Sequence, residues 1–335
     1  MTLPMDLPPR PPALGRAAHK GDAGRVVVLA GSRELPGAAL LAVGGALRAG
    51  AGLVTLGCLD PELLVLLPVA RPEALPWDLT AGADGAAPDS LAGLGAALGA
   101  RAADVVLCGP GIGRGPRAGA LVEAVLADWG GPLVLDADAL NELAAEPTRL
   151  VRLRARGAEA VTVLTPHPGE AARLLAAIAD GNEGARAAAA RTLLEAGGLG
   201  DRPEARAAAA ALLAAELDAV VCLKGAGTVV ASRGGGPADP AAAGPTWTNP
   251  SGNPGLATGG TGDVLAGCLA ALLVSVAGTE GEDRDRAAVD AARAAVYLHG
   301  LSGDRAAARL GSRGMLAGDL LDELGPAEAE GPWAE

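Results

Sequence analysis

A lone carboxylate, Asp263, ends a run of otherwise uncharged residues, Asn249-Pro250-Ser251-Gly252-Asn253-Pro254-Gly255-Leu256-Ala257-Thr258-Gly259-Gly260-Thr261-Gly262-Asp263. The residues that follow, 264–273, are apolar and rich in Ala and Leu, which favours a buried helix over a very long strand. A glycine-rich loop that feeds a helix presents free backbone N–H groups and the positive end of the helix dipole. That arrangement binds phosphate. An acid beside it points to chemistry on the phosphate as well as binding. Taken alone, a first-turn Asp need only complement the dipole.

The elements that must hold this loop alternate along the chain. Arg25-Val26-Val27-Val28-Leu29-Ala30 is a short, continuous apolar run, the pattern of a strand buried on both faces. Pro36-Gly37 opens a helix from about Ala38 to Ala49, and Leu53-Val54-Thr55-Leu56 is the next strand. Together they make a βαβ unit, which implies parallel strands. Strands are expected again at 104–108, 132–136, 161–164 and 219–223, with helices at 117–128, from 138, after 170 and across 180–219. Residues 229–231 read as a hairpin partner with a glycine-rich tip at 234–236, and Trp247-Thr248 as a returning strand. Helices follow near 261–278, 287–309 and 316–324. The pattern is α/β, with a mostly parallel central sheet flanked by helices. Residues 1–18 read as a proline-rich arm, 19–324 as one domain, and 325–335 as a loose tail.

In a parallel sheet the strand-to-helix loops share one edge, and ligands bind there. On that edge fall Gly31-Ser32, residues 109–113, 136–141, 165–170 and 224–228, and the loop that ends in Asp263. One polar loop after a strand means little; six on one rim make a site. The first strand is followed by no Rossmann fingerprint, and no Walker A motif is present, so the phosphate site is of a third kind.

Composition narrows the classes. Half of the 335 residues are hydrophobic, yet Phe is absent, so the core must be packed with Ala, Val and Leu. The net charge is -12, from 27 basic and 39 acidic residues, without a basic run, which argues against nucleic acid. Acidity does not exclude an anionic substrate, because loop amides supply a local positive field. Cys58, Cys108, Cys222 and Cys268 lie in apolar stretches with no CxxC spacing and read as buried thiols in a reducing cytosol. His19, His167 and His299 are too scattered for a zinc site. Neither a signal peptide nor a bilayer span is visible, so a soluble cytoplasmic protein is expected.

The motifs taken together resemble one family. They are Lys20-Gly21-Asp22-Ala23-Gly24-Arg25, Ala30-Gly31-Ser32, Arg48-Ala49-Gly50-Ala51-Gly52-Leu53-Val54-Thr55 and Gly109-Pro110-Gly111-Ile112-Gly113. Leu135-Asp136-Ala137-Asp138-Ala139-Leu140-Asn141, Thr165-Pro166-His167-Pro168-Gly169-Glu170, Leu223-Lys224-Gly225-Ala226-Gly227-Thr228 and the loop ending in Asp263 complete the set. Over about residues 19–310 the chain resembles the ADP-dependent NAD(P)H-hydrate dehydratases of the ribokinase-like superfamily. Ala23 stands where that family usually has an aromatic residue, and Leu256 where Met is common. The epimerase domain that precedes this one in fused homologues is missing, so epimerase activity is not expected.

The resemblance implies a three-layer ribokinase-like fold and assigns roles. Asp263 would act as base toward the hydroxyl that receives the phosphoryl group, with Gly260 and Gly262 beside it and Gly259 and Thr261 completing an anion hole. The helix dipole should keep Asp263 ionised and weakly basic, which suffices for phosphoryl transfer. Ala39, Gly111, Gly113, His167 and Asp263 would meet the substrate, the S epimer of NADH or NADPH hydrate. Lys224, Gly225, Ala226, Gly227, Thr228, Asn249, Asn253 and Gly262 would bind ADP, or ATP in its place. The two asparagines are equally readable as turn residues. Glu170 would hold Mg²⁺ through water or cap its own helix, and metal is the reading preferred. Asp136, Asp138 and Asn141 read as structural rim residues, and Tyr297 and His299 as core. The family implies a homo-oligomer, a tetramer. Two rivals are a vitamin-precursor or sugar kinase of the same superfamily, and a non-enzymatic adenylate sensor. The Thr165–Glu170 motif argues against the first and an intact Asp263 against the second.

Overall fold

The computed structural model describes residues 7–11, 13–81, 91–157, 160–181, 184–233, 244–330 and 333. Its strands are β1 (Arg25–Leu29), β2 (Leu53–Cys58), β3 (Leu75–Asp78), β4 (Val105–Cys108), β5 (Leu133–Leu135), β6 (Thr162–Leu164), β7 (Val220–Leu223), β8 (Val229–Ala231) and β9 (Thr246–Thr248). They form one sheet in the order β3-β2-β1-β4-β5-β6-β7-β8-β9. Pairing is parallel from β3 to β7 and antiparallel at β8 and β9. The order reverses between β1 and β4, a switch point at which neighbouring loops diverge.

The helices are α1 (Pro36–Arg48), α2 (Leu67–Ala70), α3 (Leu94–Ala100), α4 (Pro116–Asp128), α5 (Asp138–Ala145) and α6 (Pro147–Gly157). They continue as α7 (Pro168–Gly181), α8 (Ala185–Ala196), α9 (Pro203–Leu217), α10 (Thr261–Leu272), α11 (Gly281–Leu310) and α12 (Ala317–Glu330). Each central strand feeds two cores. Val26, Val28, Val54, Leu56, Val105 and Leu107 face a core closed by α1 and α10–α12. Val27, Leu29, Val106 and Cys108 face a second core closed by α3–α9. Burial on both faces is why these strands are unbroken apolar runs. The result is a three-layer α/β fold, as expected. Helices α1 and α10 cross in backbone contact, since a methyl group on Gly267 would run into the Ala42 carbonyl and one on Gly45 into that of Val264.

The structure adds and corrects elements. Strand β3 and helix α6 were not expected. Helix α12 continues through Pro326 to Glu330, so residues 325–330 are helical and not a loose tail. The ends of the chain meet: the Trp333 indole donates to the Pro8 carbonyl at 3.0 Å, and Arg10 pairs with Glu328 at 3.3 Å. The expected hairpin tip at 234–236 lies outside the described residues. All four cysteines are buried free thiols. Among the described residues no helix is long and apolar enough to cross a membrane.

Candidate active site

Asp136, Thr165 and Lys224 follow the adjacent strands β5, β6 and β7, so the parallel sheet brings them side by side. Asp136 is 1% exposed. Its Oδ1 accepts from Lys224 Nζ at 2.6 Å and from Thr165 Oγ1 at 2.7 Å. Its Oδ2 is buried with no hydrogen-bond partner among the described residues. The next residue, Ala137, has φ 51° and ψ -117°. A side chain rarely tolerates that conformation, and the strain sits between two site carboxylates. Asp138 accepts from the Gly113 amide at 3.0 Å, and burial raises its pKa.

The first turn of α10 approaches this group from the far side of the loop. Gly260 has φ 92°, a conformation that suits glycine, and the Val264 amide donates to its carbonyl at 3.2 Å. The amides of Gly262 and Asp263 have no acceptor among the described residues and are free for an anion. A Cβ on Gly262 would lie 3.3 Å from Lys224 Nζ, so the ammonium reaches this helix terminus. The Asp263 carboxylate makes no hydrogen bond among the described residues. Burial first, and then the neighbouring Asp136, push its pKa up to about 7, with Lys224 opposing. Sequence reasoning expected the dipole to keep Asp263 ionised and weakly basic; burial and the neighbouring Asp136 instead raise its pKa. Burial alone would lower the pKa of Lys224, but Asp136, Glu170 and Asp263 more than offset it, and the net shift is upward.

Beside this group lies a cavity of about 750 Å³. Residues 224–228 form one wall and 249–254 another, with Thr261 and Gly262 at one end and His167, Val296, His299 and Gly300 also in the lining. The structure thus gathers Lys224, Gly225, Ala226, Gly227, Thr228, Asn249, Asn253, Gly262 and His167 around one space. Gly260 and Asp263, which flank Thr261 and Gly262 in the chain, are outside the lining itself.

Other expectations change. Asn249 and Asn253 line the cavity, but both amides are engaged by protein. Asn249 donates to the carbonyls of Ser251 (3.1 Å) and Val296 (3.2 Å) and accepts from Ser251 Oγ at 3.0 Å. Asn253 accepts from the Gly255 amide at 2.9 Å and donates to Asp304 at 3.1 Å. Asn249 spends its whole amide on the loop, whereas Asn253 keeps one N–H without an acceptor among the described residues.

Glu170 serves as a cap: its Oε2 accepts from the His167 amide at 2.8 Å, while His167 Nδ1 accepts from the amides of Gly169 (2.9 Å) and Glu170 (3.3 Å). This is a capping box with histidine in the usual Ser/Thr position. The bond pattern fixes the His167 proton on Nε2. Burial, then Lys224 and Arg173, lower the pKa of His167, and burial raises that of Glu170 to about 7.

Ala39 is 0% exposed, on the inward side of α1 beneath Gly31, and its side chain cannot touch a ligand. Gly111 is buried against Leu35 and Ala38, and Gly113 is half-buried; both lie at the switch point and outside the cavity lining. Tyr297 is core, as expected. His299 is buried but also lines the cavity, donating from Nε2 to the Thr261 carbonyl at 2.9 Å; burial drops its pKa to about 4, so it stays neutral.

Comparison with known proteins identifies the family. The family model described as NAD(P)H-hydrate dehydratase matches residues 26–326, and the chain belongs to that family. A bifunctional NAD(P)H-hydrate repair enzyme of Moorella thermoacetica is 40% identical over 315 residues, which span 92% of this chain and 50% of the relative. The Escherichia coli enzyme of the same description is 37% identical over 95% of this chain and 49% of its own length. The chain spans about half the length of the curated relatives it matches. Among solved structures, the ADP/ATP-dependent NAD(P)H-hydrate dehydratase of Bacillus subtilis, co-crystallised with ATP/Mg²⁺, superposes with a TM-score of 0.66 at 27% identity, covering 98% of this chain and 99% of that one.

Proposed function

We propose that this protein dehydrates NADH or NADPH hydrate back to the reduced cofactor at the expense of ADP, releasing AMP and phosphate. The observation that carries the reading is Asp263: a carboxylate with no hydrogen bond among the described residues and a pKa near neutrality, beside unpaired amides at a helix N-terminus and next to a nucleotide-sized cavity. In this reading residues 224–228 and Gly262 bind the nucleotide. The ring hydroxyl of the S epimer attacks the β-phosphorus of ADP, the bond from that phosphorus to the AMP oxygen breaks, and the hydroxyl proton passes to Asp263. The ring nitrogen's lone pair then expels phosphate. Loss of a proton from the adjacent carbon restores the dihydronicotinamide. Phosphorylation is needed because hydroxide is a poor leaving group.

His167, whose Nε2 stands 3.3 Å from Glu170 Oε1, lines the cavity and would meet the substrate there. Among the described residues no group of three or more His, Cys, Asp or Glu converges to hold a metal. Mg²⁺ would be held chiefly by nucleotide phosphates and water, with Glu170 joining it through water once its Oε1 turns from His167 Nε2, 3.3 Å away. When bound, the ion would neutralise charge on the phosphoryl oxygens. Use of ATP in place of ADP belongs to the same proposal, as does a cytoplasmic location. So does a homo-oligomer assembled on exposed Val65, Leu66, Val69 and Leu75; light scattering that gives a monomer would remove it.

The test mixes protein, NADH hydrate, ADP and Mg²⁺ and follows the dihydronicotinamide absorbance. Recovery is expected, and none with either ADP or ATP sinks the reading. Asp263→Asn should abolish turnover while ADP still binds; near-normal turnover would remove Asp263 as the base.

A further inference from the structure

Arg206 lies in the first turn of α9 and is 1% exposed. Counting back from Leu217 at helical spacing passes Leu213, Ala214, Ala209 and Ala210 and arrives at Arg206. An arginine thus occupies the apolar stripe of the helix. Its Nε donates to the Leu199 carbonyl at 3.2 Å and its Nη2 to that of Gly200. Its Nη1 donates to the carbonyls of Ala226 and Gly227, the latter at 3.2 Å. The first pair belongs to the turn before α9 and the second to the wall of the cavity. A Cβ on Gly225 would sit 3.0 Å from the guanidinium carbon, so this loop rests directly on the buried charge. Every acceptor is a backbone carbonyl, and among the described residues no carboxylate cancels the charge. A buried, uncompensated cation is costly, and leucine would fill the stripe more cheaply.

We propose that Arg206 is a positioning residue for the nucleotide. Its fork holds the carbonyls of Ala226 and Gly227 inward. A trans peptide is planar, with its N–H opposed to its C=O, so the Gly227 amide is turned away from the guanidinium and toward the cavity. The charge has a second use. Lys224 is the only Lys or Arg among the described lining residues, and it is committed to Asp136. Arg206 therefore supplies the net positive charge that favours the phosphates of a nucleoside diphosphate, from one layer behind the wall. The inference rests on the nucleotide reading of this cavity.

Calorimetric titration of the full chain with ADP, joined to steady-state kinetics, tests it. Arg206→Met should raise the Kd and KM for ADP by about tenfold or more. The KM for the hydrate and kcat at saturating ADP should stay within about threefold of wild type, because Arg206 touches neither the hydrate nor Asp263. Arg206→Lys, which keeps the charge and loses the fork, should recover part of the affinity. A merely structural arginine would lower the unfolding midpoint without this split between the two KM values. If Arg206→Met does not fold, Arg206→Gln carries the test, being neutral and still able to donate to a carbonyl. Folded variants with wild-type Kd for ADP overturn the inference alone. A wild-type protein that takes up no ADP overturns the nucleotide reading and this inference with it.

Discussion

Replacing Lys224 by Met removes one half of a buried ion pair and leaves the other. In the intact protein Nζ and Oδ1 are 2.6 Å apart, with the Lys224 side chain 18% exposed and that of Asp136 1%. Unit charges at 2.6 Å attract by about 6 kcal/mol at an effective dielectric of about 20, most of it offset by the cost of drying both ions. Lys224→Met forfeits the attraction while Asp136 stays dry, with one oxygen held by Thr165 and the other unpartnered. The expected loss is about 3–5 kcal/mol. At a slope of about 3 kcal/mol per molar urea, the unfolding midpoint falls by about 1–1.7 M. The Lys224→Met/Asp136→Asn double variant removes both charges and should return to within about 2 kcal/mol of wild type. Urea unfolding of all three proteins, followed by circular dichroism, gives the comparison. A single variant within about 1 kcal/mol of wild type, or a double variant no better than the single, would refute the idea that the pair is dry and mutually dependent.

Four further outcomes are expected. Asp263 works as a base only when ionised and its pKa stands near 7, so kcat should rise with pH through that region and level off above it. Glu170 has a similar pKa, and survival of the same limb in Glu170→Gln assigns it to Asp263. Asp136→Asn removes a neighbour that raises the pKa of Asp263, and the limb should move to lower pH; an unmoved limb contradicts the assignment. Ala137→Gly relieves the positive φ and should stabilise by about 1 kcal/mol in urea unfolding, whereas a loss would mean that the methyl packing outweighs the strain. Gly267→Ala places a methyl group against the Ala42 carbonyl, so unfolding should come about 2 kcal/mol more easily and kcat should fall as α10 shifts; unchanged kcat would show that Asp263 tolerates the displacement.

Much of the scaffold was legible because doubly buried strands leave apolar runs bounded by glycine and proline. Strand β3 left no such run: Leu75-Pro76-Trp77-Asp78 is short, carries a proline, and pairs only with β2 at the sheet edge, where proline is tolerated. The loops of the site were legible as motifs, but their internal chemistry was not. Asn249 has the composition of a ligand contact, yet the loop and α11 claim its whole amide. The bond from Lys224 to Asp136 joins residues 88 positions apart, which spacing along the chain does not reveal. The dipole argument for Asp263 used local sequence alone, whereas its pKa is set by burial and by Asp136. Arg206 did leave a signal, a charged residue in register with the buried stripe of α9, hidden within an alanine-rich segment.

The division of the sheet into two cores bears on how the chain comes to be folded. The core that includes Val26, Val28, Val54 and Leu56 is closed by α1 and by three helices that begin only after residue 260. As synthesis proceeds from the N-terminus, strands β1 to β9 can be complete, with α3–α9 already seated, while the opposite face still lacks most of its cover. The first of those three late helices is the one that carries Asp263. The step that resumes covering this face therefore also delivers the acid. A nascent chain arrested before α10 presents an apolar sheet face covered mainly by α1, a surface for chaperones and for aggregation, and has no base with which to act.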